Sequence, residues 1–280
     1  MFDHFILTRF NIRVENWTET KSKTKVLTES WLKNRFELFE NYCLNSVKNQ
    51  SNQNFKWLVY FDTNTPKKYL EKIEEIQLAY PNFYPKFIDG MHNLMGAVKE
   101  DIQSYSKNSY IITSRLDNDD SIHKDYINTI QNCFDSQDFM AVDFIDGYSL
   151  LLDPKKRFGK ARLRFNPFIS LIEKKNTIQT VWSKKHAHWK HEKNILTIKN
   201  KRMWLVIIHA ENKVNTFTGY GNVDSSELSD FGLSNDFKDD IIKQLQPFNE
   251  WKYNSFKNEI QTIMLCSIIK LKKAIGLYKG

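Results

Sequence analysis

SYIITSRLDNDDSI, residues Ser109–Ile122, is the stretch from which the fold can be read. Five of the six residues from Tyr110 to Arg115 are β-branched, aromatic or small, the composition of a buried strand. The run stops at Asp117, Asn118, Asp119 and Asp120. Three carboxylates in four positions repel one another, so a strand end is a costly place for them unless they share a cation. An extended backbone would send Asp117 and Asp119 to one side and Asp120 to the other. Oxygen ligands clustered in this way suit Mg²⁺ or Mn²⁺, which keep positions open for substrate phosphates. The competing reading is an acidic loop whose last Asp caps the next helix, with Ser121 nearby. The apolar strand before the cluster and the amphipathic stretch after it (Ile122, Tyr126, Ile127, Ile130, Phe134) favour the cation, because ligands of open α/β sheets sit at the carboxyl ends of strands.

Upstream, Phe5–Phe10 reads as a first strand and Asn11–Thr28 as a polar loop. Glu29–Val47 reads as a helix, with Trp31, Leu32, Phe36, Phe39, Cys43 and Val47 on one stripe. Phe55–Phe61 is a second strand ending in Asp62, and Pro66 opens a helix over Lys67–Ala79. Pro81–Ile88, with two prolines, suits an edge strand, and Met91–Tyr105 a helix. This βαβα alternation predicts an α/β fold with a mostly parallel central sheet flanked by helices. Downstream, Asp138–Leu152, Arg162–Glu173 and Met203–His209 read as strands, Asn176–Trp182 as a short helix and Lys184–Glu192 as a polar loop. Asn215–Asp230 reads as a mobile loop, and helices over Asn235–Leu245 and Phe256–Tyr278 finish the chain. The expected organisation is one domain over 1–232 with a C-terminal helical extension over 233–280, packed on it or lying at a membrane surface.

Composition narrows the function. A chain of 280 residues with 20 Phe can bury a full core. Cys43, Cys133 and Cys266 show no Cys-x-x-Cys spacing, which disfavours a zinc or disulfide framework and fits a reducing, cytoplasmic compartment. The opening MFDHFILTRF carries Asp3 and a very short apolar run, unlike a signal peptide. No glycine fingerprint follows the first strand, and no phosphate-cradling P-loop is present. The net charge of +8 points to an acidic partner such as a nucleotide, an anionic glycan or lipid head groups. Nucleic acid is disfavoured, because no zinc-finger spacing, RNA-binding aromatic signature or continuous basic helix appears.

Further residues stand where chemistry could use them. Asp62 ends a strand, and fits either a hydrogen bond to a nucleoside or an Asx-turn before Pro66. His209 ends the apolar run Trp204–Ile208 and could complete a metal site beside Asp119. Glu173 and the loop histidines His186 and His188 are candidate bases for a hydroxyl. Arg9 and Arg115 lie in strands, where an arginine needs an anionic partner: a nearby aspartate or a diphosphate. The last helix carries Ile260, Ile263, Met264, Ile268, Leu271 and Ile275 among lysines, a pattern shared by helices packed on a domain and helices lying on an anionic leaflet.

The strand ending in Asp-x-Asp-Asp, CLNSVKNQ (Cys43–Gln50) and FKWLVYFD (Phe55–Asp62) resemble a GT-A glycosyltransferase, and HFILTRFN (His4–Asn11), WLVYFD (Trp57–Asp62), SRLDNDD (Ser114–Asp120), NPFISLIE (Asn166–Glu173) and WLVIIHAENKVN (Trp204–Asn215) resemble more specifically the putative rhamnosyltransferase family of bacterial glycan synthesis. The resemblance covers about residues 4–220. It implies a GT-A-like fold and transfer of a sugar from a nucleoside-diphosphate donor, with Mn²⁺ or Mg²⁺, to a glycan or lipid-linked acceptor. On that pattern Asp119 and Asp120 take the metal with His209, Asp117 the ribose and Asp62 the base. The catalytic base stays open among Glu173, His186 and His188. Two other classes share parts of the pattern: a metal-dependent nucleotidyltransferase, and a basic module that binds anionic glycan or nucleic acid without catalysis.

Overall fold

The computed structural model describes all of residues 1–280 except 16, 21, 22, 24, 213, 214, 279 and 280. In chain order the regular elements begin with β1 (Phe2–Arg9), α1 (Glu29–Leu38), α2 (Asn45–Lys48), β2 (Lys56–Asp62), α3 (Lys67–Ala79), β3 (Phe83–Ile88) and α4 (Leu94–Tyr105). Then follow β4 (Tyr110–Arg115), β5 (Ser121–Ile122), α5 (Tyr126–Gln131), β6 (Phe139–Leu151), β7 (Arg157–Arg162), β8 (Ser170–Lys174), β9 (Ile195–Ile208), α6 (Asn235–Lys243) and α7 (Phe248–Ala274).

The strands form one sheet in the order β3-β2-β1-β4-β8-β6-β9-β5, with β7 also on β6. β3, β2, β1 and β4 are mutually parallel, as the βαβα alternation requires. β8 runs antiparallel to both β4 and β6, and β9 is parallel to β6. It follows that β1, β2, β3, β4, β6 and β9 all point the same way and end on one edge. This is the α/β class with a mostly parallel central sheet flanked by helices that the sequence predicts. β6 turns through two bulges along β9 and exchanges β8 for β7 as its other neighbour, so the sheet curls. At Gly147, inside β6, an added Cβ would stand 2.1 Å from the Trp204 ring, so only glycine lets these strands close.

Alternation along the strands splits the core in two. Ile6, Trp57, Val59, Phe61 and Ile112 face α1, α3 and α5. Phe5, Leu7, Leu58, Tyr60 and Ile111 face α4 and the segment around Val181 and Trp189. A third cluster, around Tyr148, Leu205, Phe231 and Ile241, seats α6.

Several elements differ from the sequence expectation. Arg162–Glu173 is not one strand but parts of β7 and β8. Between them Phe165 takes φ 56°, and the buried Asn166 donates to the Phe144 and Leu163 carbonyls at 2.7 and 3.0 Å. The chain turns there because a polar side chain, invisible to hydrophobic periodicity, ties it down. Helix α1 runs through a π-helical stretch, Phe39–Leu44, into α2. Ile122 belongs to β5 rather than to α5, and the last helix starts eight residues earlier than expected, at Phe248. Part of the expected mobile loop is helical: Ser225–Phe231 is a 3₁₀ helix that buries Leu228 and Phe231.

Candidate active site at the carboxyl edge of the sheet

After β4 the backbone turns instead of staying extended, with the Asp120 N–H donating to the Asp117 carbonyl at 3.2 Å. Asn118, which carries no signal in the sequence pattern, pins this turn. Its Nδ2 donates to the Phe10 carbonyl at 2.9 Å, and its Oδ1 accepts from Arg35 at 3.1 Å. The turn sends the three aspartates to three environments, and strand alternation does not describe them.

Asp119 Oδ2 accepts from Arg35 Nη1 at 2.7 Å and from His209 Nε2 at 2.9 Å. Burial works to raise its pKa, but the Arg35 charge and the His209 hydrogen bond outweigh it and hold the carboxyl well below the usual carboxylate range. Asp120 lies on the other side of the turn, where its Oδ1 accepts the Ile207 N–H at 2.9 Å. Burial, then the charges of Asp119 and Asp117, push its pKa well up. Asp117 is gripped by Arg115, whose Nη2 reaches both carboxylate oxygens at 3.0 and 2.9 Å.

The Arg9 guanidinium differs from its neighbours. It lies 5.7 Å from the Trp182 ring centroid and is influenced by Asp117 and Arg115. Among the described residues its side chain donates no hydrogen bond. Burial lowers its pKa, Asp117 raises it and Arg115 lowers it further. On the same side of the sheet His186 Nδ1 donates to the Phe165 carbonyl at 2.9 Å. A carbonyl only accepts, so the neutral ring keeps its lone pair on Nε2. Burial lowers the His186 pKa, and the Arg115 and Asp117 charges also reach it.

The other two expected bases are placed elsewhere. His188 is exposed on the outer side of the same short helix. Glu173 pairs with Ile111 and Phe139, at the amino end of β4 and the opposite edge of the sheet from Asp119. It is wholly buried, and its oxygens accept the Gln179 and Thr180 N–H groups at 2.8 Å each. Glu173 therefore holds the turn after β8 and does not reach the site.

Asp62, at the end of β2, accepts the Asn64 N–H at 2.9 Å, an Asx-turn, and also the Arg13 Nε at 3.0 Å. Burial raises its pKa, but the Asn64 and Arg13 N–H groups and the Arg13 charge lower it overall. Arg13 also reaches Asp89 after β3. It had no signal in the sequence beyond its place in a polar loop, yet it stands at the mouth of a cavity of about 970 Å³ with Trp17, Thr28, Gly90 and Met91. Gly90 has φ +73°, a backbone state that favours glycine, and that turn lets Met91 N–H meet the Arg13 carbonyl at 2.9 Å. A second cavity, of about 390 Å³, opens beyond His209 between α1 and α6. Arg35 does carry a sequence signal: it sits on the apolar stripe of α1 between Trp31 and Phe36, where only a paired arginine belongs.

Whether these residues suit a divalent cation can be tested on the donor set. Asp119 Oδ2 and His209 Nε2 are 2.9 Å apart, close to the edge joining two cis ligands that each lie about 2.1 Å from one ion. Asp120 does not fit, since it faces Ile207, and Asp117 is held by Arg115. Among the described residues no group of three or more His, Cys, Asp or Glu could hold a metal. Of the three expected ligands, only Asp119 and His209 stand close enough to share one cation.

The family model described as putative rhamnosyl transferase matches residues 2–220. No curated protein sequence matches the chain. Among solved structures it is similar to S. aureus TarS 1–349 in complex with UDP-GlcNAc, with a TM-score of 0.44 and 11% identity over 86% of this chain and 70% of that one. Against a further TarS 1–349 structure the values are 0.43 and 11%, over 73% of this chain and 60% of that one. A putative nucleotide-diphospho-sugar transferase from Desulfovibrio desulfuricans G20 gives 0.37 and 10% over 75% and 83%. The chain spans 60% of the length of the second of these. The match over residues 2–220 shows that the chain belongs to the putative rhamnosyl transferase family, and with it to the glycosyltransferases.

Proposed function

We propose that the protein transfers a sugar from a nucleoside-diphosphate donor to a hydroxyl of a glycan or lipid-linked acceptor, at the carboxyl edge of its sheet. The observation that carries this reading is Arg9: a largely buried guanidinium with no hydrogen-bond acceptor among the described residues, between the Trp182 ring and the Arg115–Asp117 pair. A guanidinium in that state suits a diphosphate, which offers it the bidentate contacts it lacks. The nucleoside goes to the cavity beside Arg13, where Trp17 and Met91 supply apolar surface. Asp117 and Asp62, both held by arginines, orient that edge for ribose and base.

His186 is the base in this reading, because its free Nε2 can take the acceptor proton. Arg9 counters the charge that grows on the departing nucleoside diphosphate. Asp119 and His209 are the residues that would hold Mn²⁺ or Mg²⁺, which when bound supplies the same neutralisation of the leaving group. The His209 Nδ1 accepts the Glu211 N–H at 3.3 Å, which puts the ring proton on Nε2, towards Asp119.

The test is a thermal-shift panel of nucleoside diphosphates with and without Mn²⁺. One nucleotide is expected to stabilise the protein by about 2.7 kcal/mol at a hundred times its Kd, and Arg9→Ala to reduce that gain. A panel in which no nucleotide shifts the melting midpoint, or in which Arg9→Ala responds like the wild type, defeats the assignment.

A further inference from the structure

The 27-residue helix α7 is docked the wrong way round for a core-packing helix. Trp251, Ser255 and Thr262 are its buried residues, and at 3.6 residues per turn they fall within an arc of about 40°. Two of those three are hydroxyl residues, and the docked side makes polar contacts: Ser255 Oγ accepts the Gly221 N–H at 2.8 Å. Asn258 adds a bond to the Gly219 carbonyl at 3.0 Å. Trp251 and Ile269 are the apolar side chains that α7 turns inward, and most of its other apolar residues point away. Tyr253, Phe256, Ile260, Ile263, Met264 and Leu271 are between 42% and 77% exposed, and they occupy an arc of about 100° roughly opposite the docked side. A soluble surface does not leave such a stripe uncovered without a partner for it.

The charge beside the stripe says which partner. From Ile260 to the end of the chain the sequence has four lysines and no acidic residue. Lys252, Lys257, Lys270 and Lys272 are exposed, and none has an ion-pair partner among the described residues. At the end of the helix the Lys190 ammonium lies 5.3 Å from the Tyr278 ring centroid, which brings the basic 184–193 segment to the same place. A second copy docked through this face about a two-fold axis would set lysine against lysine. A layer of anionic head groups over hydrocarbon complements both features at once. Among the described residues no helix is long and apolar enough to cross a membrane, so α7 would lie in the plane of the leaflet.

We infer that the outward face of α7 is a docking surface for an anionic lipid bilayer, with its apolar stripe in the acyl boundary and its lysines among the head groups. This goes beyond the proposed sugar transfer and does not depend on it. The docked side of α7 does neighbour the site: Lys273 Nζ donates to the Glu192 carbonyl at 3.1 Å, one residue after the short helix that begins at His186.

The experiment is flotation with vesicles of phosphatidylcholine alone, or mixed with phosphatidylglycerol. Wild-type protein is expected to float with the mixed vesicles and to stay behind with the neutral ones. Lys270→Gln with Lys272→Gln should weaken binding about twenty-five-fold, at about fivefold for each lysine. Ile263→Glu with Leu271→Glu should abolish flotation while circular dichroism and melting midpoint stay as in wild type, since both side chains are exposed. Three outcomes would overturn the inference: wild-type protein that ignores both vesicle types, a glutamate variant that floats like wild type, or a wild-type dimer in sedimentation that the glutamate variant dissolves. Because the readout contains no nucleotide, its failure leaves the donor-site panel unaffected.

Discussion

Arg35 and Asp119 have side chains only 6% and 13% exposed, so neither charge can fall back on water if the other is removed. Replacing one partner of such a pair costs about 3–5 kcal/mol, because the remaining charge stays buried and unpaired. Arg35→Met is expected to lose that much in chemical denaturation, and Asp119→Asn in the same background to recover part of it. A loss below about 1 kcal/mol for the single variant would place the pair with ordinary surface bridges. The sign of the pH effect follows. The Asp119 pKa is depressed by folding, so its contribution is present above the unfolded carboxylate value and fades as pH falls towards the folded one. At this scale the sequence was legible in kind but not in partnership. The types and positions of Asp117, Asp119 and His209 marked a site at a strand end, yet nothing in the spacing paired Asp119 with a helix residue 84 positions away. Nor did it reveal that Asp120 turns to a backbone N–H, or that Glu173 lies at the far edge, because both depend on register rather than on local pattern.

Elements were legible where hydrophobic periodicity is strong: α3 runs over the Lys67–Ala79 expected of it. They were not where polar side chains or close approach decide. The Ser225–Phe231 segment is such a place. Its 3₁₀ helix, capped by the Asp224 side chain, ends at Gly232 in the left-handed conformation. There an added Cβ would stand 2.5 Å from the Asn45 carbonyl oxygen of α2, at the end of the helical run that carries Arg35. Gly232→Ala therefore combines an unfavourable φ with a backbone clash, and is expected to cost about 2 kcal/mol or more. Thermal unfolding of that single variant is the check, and a midpoint like wild type would mean that the 225–231 helix is not held against α2. The π-helical stretch Phe39–Leu44 gave no sequence signal either, since Phe39, Cys43 and Val47 fit an α-helical stripe equally well.

Across the whole molecule the parallel half of the sheet was legible and the rest was not, for one reason. βαβ units announce themselves by alternation and force right-handed parallel neighbours, whereas β8 and β7 are inserted by loops whose ties are single buried polar groups. Asp143, in the middle of β6, is the clearest of these. Its oxygens accept the Phe165 N–H at 3.0 Å and the Asn166 Nδ2 at 3.2 Å, which fixes the crossover from β7 to β8. Burial pushes its pKa up to about 6, against smaller lowering by the Phe165 N–H and the Arg164 charge. The folded state then holds a proton that the unfolded chain releases near pH ~3.9. Stability from this group is fully present below that value and is lost as pH rises through about 6. The gap between the unfolded and folded pKa values corresponds to about 3 kcal/mol at most. Because β6 joins β8, β7 and β9, the loss should appear in global unfolding and not in one loop. Urea denaturation at about pH 4.5 and about pH 7, on either side of the folded value, should therefore show a smaller change for Asp143→Asn than for wild type, by about 2 kcal/mol. Equal changes in the two proteins would mean that Asp143 is ionised in the fold throughout, and that the crossover is anchored by a charge rather than by a buried acid.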